Sequence, residues 1–262
     1  MQNIEFIKYH GTGNDFIILD GFKSAYDADT WSAEQIKLMC HRNFGIGADG
    51  LIICAPSADS DFQMVYYNSD GYQSSMCGNG GRCILHFAYQ NQYCSDEAVF
   101  EAIDGLHQGQ VKGDIISLKM QDVSTYEQLN DKAYFIDTGS PHYVTFHEGV
   151  DKLDIVAEGR KIRYNERFKF KGTNVNFVEK VESQIRVRTY ERGVEDETLS
   201  CGTGVVAASL ISQIHFDSKV NSCKVLTKGG SLKVSFESED NTFKNIWLIG
   251  PATPVFRGQI EL

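Results

Sequence analysis

The chain lacks a long apolar run and an excess of positive charge. No segment approaches the roughly eighteen apolar residues of a membrane-spanning helix, and the first residues lack the basic and apolar regions of a signal peptide. The 25 lysines and arginines face 35 aspartates and glutamates, which gives a formal net charge of −10. Because nucleic acids and anionic membranes attract basic surfaces, this balance argues against either partner. We therefore expect a soluble, cytoplasmic protein.

Closely paired cysteines are also missing. The seven cysteines are an odd number, and no Cys-x-x-Cys pair occurs among them. Disulfide frameworks, zinc sites and thiol redox centres usually need such pairing, so we expect reduced thiols and no metal site. The chain also has no Rossmann glycine fingerprint, no P-loop and no lysine context typical of pyridoxal phosphate. The absence of these cofactor-binding motifs favours chemistry that proceeds without a cofactor.

What the chain does contain, twice, is a cysteine at a glycine-rich turn that opens an apolar helix. Met76-Cys77-Gly78-Asn79-Gly80 leads into the mostly apolar residues 84–89, and Ser200-Cys201-Gly202-Thr203-Gly204 leads into the apolar residues 205–211. The unpaired N–H groups and the dipole at a helix N-terminus favour anions, including a thiolate. A capping turn with an incidental cysteine is the alternative for either stretch alone, and the second copy favours a function.

The remaining patterns predict an α+β protein. A capping box at Ser32 starts one helix and 155–162 forms another, in addition to the two cysteine-led helices. Between them, turn signals such as Asn68-Ser69-Asp70-Gly71 and Asp104-Gly105 separate short strands. We predict strands at residues 4–9, 16–20, 51–54, 62–67, 98–103, 110–112, 115–120, 133–137, 143–146, 173–179, 185–191, 224–227, 232–236, 246–249 and 255–262. The plan repeats in outline, which predicts two domains related by duplication, each with antiparallel strands around one central helix.

One activated thiol per domain predicts a cleft with a cysteine on each wall, because ligand sites favour domain interfaces. Two opposed acid/base groups are the minimal machinery for inverting a stereocentre, since one removes a proton while the other delivers one to the opposite face. His142 and Glu191 are the candidates to accept protons from the thiols. Read singly, a histidine of this kind is more often a loop residue, and Glu191-Arg192 a surface ion pair.

Taken in order, these motifs resemble the diaminopimelate epimerase family. The resemblance runs through Gly11-x-Gly13-Asn14-Asp15-Phe16, residues 45–50, Asn68-x-Asp70-Gly71, Met76 to Gly80, Gly139-x-Pro141-His142, Asn174, Glu191-Arg192-Gly193, Cys201 to Gly204 and Gly250-Pro251-Ala252. It implies a cofactor-independent enzyme that interconverts LL- and meso-2,6-diaminopimelate, the small-molecule substrate. It leaves the oligomeric state open, with a homodimer as one outcome.

The resemblance also implies roles for single residues. Cys77 and Cys201 would be the acid/base thiols, with His142 and Glu191 as their respective partners. A planar guanidinium matches a carboxylate, so Arg192 fits the distal carboxylate of the substrate. The implied substrate-binding set is Asn14, Asn68, Gly78, Asn79, Asn174, Glu191, Arg192, Gly202 and Thr203, with the glycines and their neighbours acting through backbone amides.

The family fold is two similar domains in which the C-terminal strand returns to the first. We therefore expect a first domain of residues 1–121 with 251–262 and a second of 122–250. Three departures from the family pattern stand out. Ser140 replaces an asparagine that some relatives carry, Gly50 replaces a glutamine, and the segment between Glu191 and Cys201 is one residue longer than usual.

Other functions stay open at the sequence level. One is a racemase or isomerase of the same fold for another amino acid, similar to proline racemases or phenazine-pathway proteins. Arg192 and the three asparagines favour a substrate with a second polar end. A binding protein for diamino acids and a thiol redox protein are alternatives of a different class. A binding protein would not need two thiols at helix N-termini, and a thiol redox protein usually carries Cys-x-x-Cys.

Overall fold

The computed structural model describes residues 3–24, 26, 29–239 and 242–261. Within these residues the chain is an α+β protein dominated by strands. The helices are α1 Ala33–Cys40, α2 Gly78–Gln90, α3 Ile155–Arg163 and α4 Gly202–His215, with a short 3₁₀ turn at Val150–Lys152. The strands are β1 Asn3–Gly11, β2 Asn14–Asp20, β3 Gly50–Ala55, β4 Phe62–Asn68, β5 Glu97–Ala102, β6 Gly105–Lys112, β7 Ile115–Lys119, β8 Tyr126–Asn130, β9 Ala133–Asp137, β10 Pro141–Phe146, β11 Asn174–Val181, β12 Gln184–Glu191, β13 Asp196–Thr198, β14 Ser222–Thr227, β15 Gly230–Glu239, β16 Thr242–Pro251 and β17 Thr253–Glu261.

The chain divides into two compact units. The first comprises Met1–Leu118 and Gly250–Leu262, and the second comprises Lys119–Ile249. The C-terminal strand β17 belongs to the first unit, where it pairs antiparallel with β1 from Asn3↔Glu261 to His10↔Thr253. The boundaries expected from the sequence, at residues 121 and 250, stay a prediction for the domains as folding units.

The two units repeat one order of strand pairing. In the first unit the order is β17–β1–β2–β3–β4–β5–β6–β7, with β2–β3 and β4–β5 parallel and the other pairs antiparallel. In the second it is β8–β9–β10–β11–β12–β14–β15–β16, with β10–β11 and β12–β14 parallel. The repeated order is what a duplicated domain produces.

The sequence analysis predicted antiparallel strands, and the structure contains parallel pairs as well. Parallel neighbours need a crossover connection, and a helix supplies one at each of these places. Helix α1 lies between β2 and β3, and α3 lies between β10 and β11. Helices α2 and α4 lie between β4 and β5 and between β12 and β14. Among the described strands, one helix therefore bridges each of the four parallel pairs.

Helices α2 and α4 are the central helices of their units. Residues 78–88 of α2 are all buried, and it contacts β1, β2, β3, β4 and β6. In α4 the run Val205–Ser212 is buried against β9, β10, β11, β12, β14 and β15. A helix that is buried on most faces belongs in a core, which fits the mostly apolar sequence of α4 and the buried apolar residues 83–85, 87 and 88 of α2. No helix among the described residues has the length and apolar content that would cross a bilayer.

Local signals place most of the remaining elements. Ser32 caps α1 with the predicted capping box, because its side chain accepts from Gln35 N while Gln35 Oε1 accepts from Ser32 N. The Asp104-Gly105 turn joins β5 to β6, and Gly105 has φ 119°, a conformation that glycine adopts without strain. Two strands were not predicted, β8 and β13. Both are short and polar, and both exist by pairing with a longer neighbour.

Candidate active site

Cys77 is the N-cap of the central helix of the first unit. Its backbone is extended, and its Sγ accepts a hydrogen bond from Gly80 N at 3.2 Å. The thiol therefore performs the task that a serine or aspartate oxygen performs at most helix starts, which is to accept from an otherwise unpaired N–H group. A sulfur that accepts such a bond is stabilised in its anionic form. The location predicted from the sequence is confirmed.

Asn14 lies beside this thiol at the end of the β1–β2 hairpin. Its Oδ1 lies 3.9 Å from Cys77 Sγ and accepts from Asn79 Nδ2 at 3.2 Å, while its Nδ2 donates to Asp49 Oδ2 at 2.6 Å. The turn that delivers Asn14 contains Thr12 and Gly13, both with positive φ. The structure thus brings three of the predicted site residues together and adds Asp49, which the sequence analysis did not single out.

Two carboxylates next to Asn14, those of Asp15 and Asp49, form ion pairs with basic side chains. Asp15 pairs with Lys8 at 2.8 Å and with Arg42 at 2.9 Å, and Arg42 also reaches Asp49 at 2.6 Å. Burial raises the pKa of Asp15, but the hydrogen bonds from Arg42 and Lys8 outweigh it and the pKa falls to about 2. This ion-pair cluster fixes the loop that carries Asp49, and through Asp49 it fixes the amide of Asn14.

Asn68 ends β4, where it pairs with Gly50 of β3. Its Oδ1 accepts from Tyr66 Oη at 2.9 Å. A Cβ atom at Gly50 would lie 2.6 Å from the Tyr66 ring and 2.5 Å from Tyr67 O. The glycine at this position is therefore matched to Tyr66, whose hydroxyl holds Asn68, and a longer side chain would displace that tyrosine.

Arg82 lies one turn into α2 and is wholly buried. Its guanidinium donates to Gly78 O, Asn79 Oδ1 and Thr12 Oγ1 at 3.0–3.3 Å, all of them neutral acceptors around the start of the helix. Burial lowers the pKa of Arg82, and the neighbouring Cys83 and Cys77 oppose that change. The sequence analysis did not single out Arg82, and its place in the motif, five residues after Cys77, was the signal available.

Cys201 has the matching position in the second unit, where it is the N-cap of α4 and nearly buried, with 8% of its surface exposed. Its Sγ lies 3.6 Å from Thr203 Oγ1. Thr203 in turn lies 2.9 Å from His142 Nε2, and its backbone oxygen accepts from Thr138 Oγ1. The structure therefore joins His142, Thr203 and Cys201 in one hydrogen-bonded row.

His142 is completely buried in β10. Its burial and the charge of Arg192 lower its pKa to about 3, so the imidazole is neutral at neutral pH. Its second nitrogen, Nδ1, lies 3.1 Å from Asn176 Nδ2. Asn176 is another buried residue that the sequence analysis passed over, because only the pairing of β10 with β11 brings it to the histidine.

Asn174 and Arg192 form a second group that is held together by Ser140. Asn174 Oδ1 accepts from Arg192 N at 2.9 Å, and its Nδ2 donates to Ser140 Oγ at 3.1 Å. The Arg192 side chain is exposed and donates to Ser140 Oγ at 3.5 Å and to Lys171 O at 3.1 Å. Ser140 therefore orients both residues of this group.

Glu191 is the last residue of β12 and is half-buried. The longer segment that follows it turns back at Glu195, which has φ 59° and donates its N–H to Glu191 O. The Glu195 carboxylate accepts from Arg163, Tyr164, Tyr190 and Gly193 N at 2.9–3.2 Å. The contacts of the Glu195 carboxylate thus close the segment that follows Glu191.

The other five cysteines are unlike the two helix caps. Burial raises the pKa of Cys40 and Cys94 to about 12 and raises those of Cys54, Cys83 and Cys223 as well. These thiols stay protonated at neutral pH. The only cysteines that begin a helix in the described part of the chain are Cys77 and Cys201.

Structures of related fold confirm the α+β, two-domain architecture. A PhzF-family phenazine biosynthesis protein from Bacillus anthracis superposes with a TM-score of 0.73 at 14% identity, over 100% of both chains. A hydroxyproline epimerase from Agrobacterium vitis superposes with a TM-score of 0.68 at 14% identity, over 99% of this chain and 93% of that one. At these identities the likeness shows the fold.

Sequence comparison is more specific. The profile of the family described as diaminopimelate epimerase matches residues 6–124 and 134–255. The diaminopimelate epimerase of Flavobacterium psychrophilum is 46% identical over 255 residues, covering 97% of this chain and 98% of that protein. That of Chlorobaculum tepidum is 41% identical over 263 residues, covering 96% and 99%. With a family profile along nearly its whole length and full-length relatives at this identity, the chain is an epimerase and belongs to the diaminopimelate epimerase family.

Proposed function

We propose that the chain interconverts LL- and meso-2,6-diaminopimelate, in the biosynthesis of lysine and cell-wall precursors, by moving a proton between two thiols. The observation that carries the proposal is the pair of helix-capping cysteines. Cys77 and Cys201 begin the central helix of each unit, at equivalent points of a repeated strand order. One thiolate removes the α-proton of the substrate, and the opposite thiol delivers a proton to the other face.

The two helix starts also support the proposal electrostatically. As the proton leaves, negative charge moves onto the carboxylate next to the α-carbon. The amides at Gly78-Asn79 and Gly202-Thr203 lie at positive helix ends, where anions are stabilised. Removing one such donor typically costs about 2.7–4 kcal/mol of transition-state stabilisation. Several donors together supply much of the rate, so the proposed reaction uses no cofactor.

Polar groups around the caps suit a zwitterionic diamino diacid. Asn14, Asn68 and Asn174 offer neutral donors and acceptors. The exposed guanidinium of Arg192, oriented by Ser140, is proposed to hold the distal carboxylate in a bidentate pair. Glu191 and His142 are proposed as the polar partners of the thiols. The cytoplasmic location and the homodimer stay predictions.

Incubation of the purified protein with LL-diaminopimelate in deuterated water tests the proposal. We expect meso-diaminopimelate to form without added cofactor, with one deuterium at the inverted α-carbon, because the incoming proton comes from a thiol that exchanges with solvent. L-Proline, an amino acid with no second carboxylate, serves as the control for a racemase of the same fold and should stay unlabelled. Inversion that requires added pyridoxal phosphate, or labelling of proline in place of diaminopimelate, would overturn the proposal.

A further inference from the structure

Asn176 is a buried residue of β11, the strand that lies between β10 and β12 in the second unit. It lies in β11, and none of its surface is exposed. Its Nδ2 lies 3.1 Å from His142 Nδ1 and 3.2 Å from Tyr143 O, while its Oδ1 accepts from Thr189 Oγ1 at 3.0 Å. Both the NH₂ group and the oxygen of the amide therefore have partners inside the protein.

The neighbours of Asn176 allow one orientation of its amide. The backbone oxygen of Tyr143 can only accept a hydrogen bond, so the NH₂ group must face it. The second hydrogen of that NH₂ group then points at His142 Nδ1. Packing holds the amide in place, since a Cβ atom at Gly204 would lie 2.4 Å from Asn176 Oδ1. The amide is consequently a fixed donor to the imidazole.

This donor decides where the imidazole carries its proton. His142 is neutral because burial and Arg192 lower its pKa, and a neutral imidazole has one N–H group and one acceptor nitrogen. Nδ1 accepts from Asn176, so the proton lies on Nε2 and is donated to Thr203 Oγ1 at 2.9 Å. The hydroxyl of Thr203 is then available to donate its own hydrogen to Cys201 Sγ, 3.6 Å away.

We propose that Asn176 is a positioning residue that fixes the proton of His142 on Nε2, so that His142 and Thr203 form a one-directional donor chain that favours the thiolate of Cys201. The catalytic meaning of this chain rests on the proposed function, since it readies Cys201 to remove a proton from the substrate. In this arrangement His142 gives a hydrogen bond towards Cys201. The sequence resemblance, by contrast, pairs it with Cys77 as a proton acceptor.

The position of the proton is measured in the wild-type enzyme by NMR of protein labelled with ¹⁵N in its seven histidines. The signal that disappears in His142→Gln belongs to His142. We expect a proton on Nε2 and none on Nδ1 at neutral pH. In Asn176→Ala, where Nδ1 loses its donor, a population protonated on Nδ1 should appear. A wild-type proton on Nδ1 would overturn the proposal without recourse to any variant.

The last link of the donor chain, from Thr203 to Cys201, is tested by the alkylation of Cys201 with iodoacetamide as a function of pH. Mass spectrometry of the peptide that contains Cys201 measures the extent of alkylation. Thr203→Val removes the hydroxyl and keeps the side-chain shape, whereas Thr203→Ser keeps the hydroxyl. We expect the pH midpoint of alkylation to rise by about one unit and the rate at neutral pH to fall about tenfold in Thr203→Val. Thr203→Ser should restore both. The charged groups on the neighbouring strand ends, Asp137, Glu191 and Arg192, stay the same throughout, and Cys77 is the internal reference.

An unchanged midpoint in Thr203→Val, or a midpoint that rises equally in Thr203→Ser, would overturn the proposal. Neither measurement uses a substrate. Failure of the epimerisation assay would refute the proposed function while leaving these results standing, and a failed alkylation test would leave the two-thiol mechanism standing.

Discussion

The seven thiols of this chain differ in what surrounds them. Five lie in strands, helix interiors or loops where burial raises their pKa and keeps them protonated. Cys77 and Cys201 are instead the N-caps of α2 and α4, and Gly80 N donates a hydrogen bond to the sulfur of Cys77. The position at a helix start is what separates the two thiols that are proposed to be catalytic from the other five.

Substitution of either capping thiol tests this division. Cys77→Ala and Cys201→Ala each remove one acid/base group, so turnover of diaminopimelate should fall roughly 10²–10⁴-fold in each case. Both variants should stay folded and lose at most about 0.5–2 kcal/mol of stability, because each change is confined to the N-cap of one helix. Cys40→Ala and Cys83→Ala are the matched controls and should keep their activity. An alanine variant at either cap with near-normal turnover would contradict the two-thiol mechanism.

Arg192 is the residue expected to set substrate selectivity. Arg192→Lys keeps the positive charge but loses the planar fork, so one hydrogen bond to the distal carboxylate is not made. A lost hydrogen bond to a charged group costs roughly 1.5–3 kcal/mol, and kcat/KM for diaminopimelate should therefore fall on the order of tenfold or more. Arg186→Lys, on the same strand, should leave kcat/KM unchanged. Equal values for the two variants would place the distal carboxylate elsewhere.

At the scale of elements, the β1–β2 hairpin and the loop before β3 are joined through Asp15. Its folded pKa of about 2 lies below the ordinary value of 3.8, so the folded chain keeps this charge at a pH where the unfolded chain is already protonated. The resulting stabilisation is present above about pH 4 and is lost as the pH falls towards 2. Asp49 N donates to Asp15 Oδ1, and Arg42 pairs with both carboxylates. Because Asp49 also accepts from the amide of Asn14, the same pH range governs how firmly Asn14 is held.

Asp15→Asn should show this dependence directly. From the difference between the two pKa values, we expect a loss of about 2 kcal/mol of unfolding free energy at neutral pH. The difference from the wild type should shrink as the pH falls from 4 towards 2. Urea unfolding at a series of pH values measures it, with Glu148→Gln, an exposed carboxylate, as the control. A loss that stays constant with pH would show that the ion pairs with Lys8 and Arg42 do not contribute.

Sequence reasoning located the elements that carry local signals. The capping box of α1, the two cysteine-led helices and the Gly-containing hairpin turns are all confirmed, because each depends on a few neighbouring residues. Strands β8 and β13 were missed because their polar sequences have no alternation, and only pairing with β9 and β12 makes them strands. The contacts of Asn176 were missed for a related reason. They depend on the register between β10, β11 and β12, which no local pattern specifies.

At the scale of the whole molecule, the two units share a strand-pairing order that is not evident from residue identity. The eight-strand pairing order, including both parallel pairs and the helices that bridge them, is the same in the two units. Pairing order is a property of backbone hydrogen bonds and crossover connections, so it persists while side chains change. This is why the duplication was expected from the outline of the chain, although the identity between its halves is weak.

The return of β17 to the first unit predicts where a change near the C-terminus acts. Gly258 faces Phe6 in the β1–β17 pair, and a Cβ atom there would lie 2.7 Å from the Phe6 ring. Gly258→Val should therefore displace a buried ring and destabilise the first unit by about 1–3 kcal/mol. Hydrogen exchange should show the loss of protection in β1, β2 and β17. Gln259→Val, an exposed neighbour, is the control, and a loss centred on β10–β12 would contradict the assignment of β17.

The same strand has a consequence for the order of synthesis. The ribosome makes β1 early and β17 only after the whole second unit, which takes several seconds or more at about 5–20 residues per second. During that time the edge of β1 that β17 later covers has no partner strand from its own unit, and an uncovered strand edge can pair with another chain. The second unit is continuous in sequence and can finish folding first. In this protein the part that emerges first from the ribosome is therefore the part that completes its fold last.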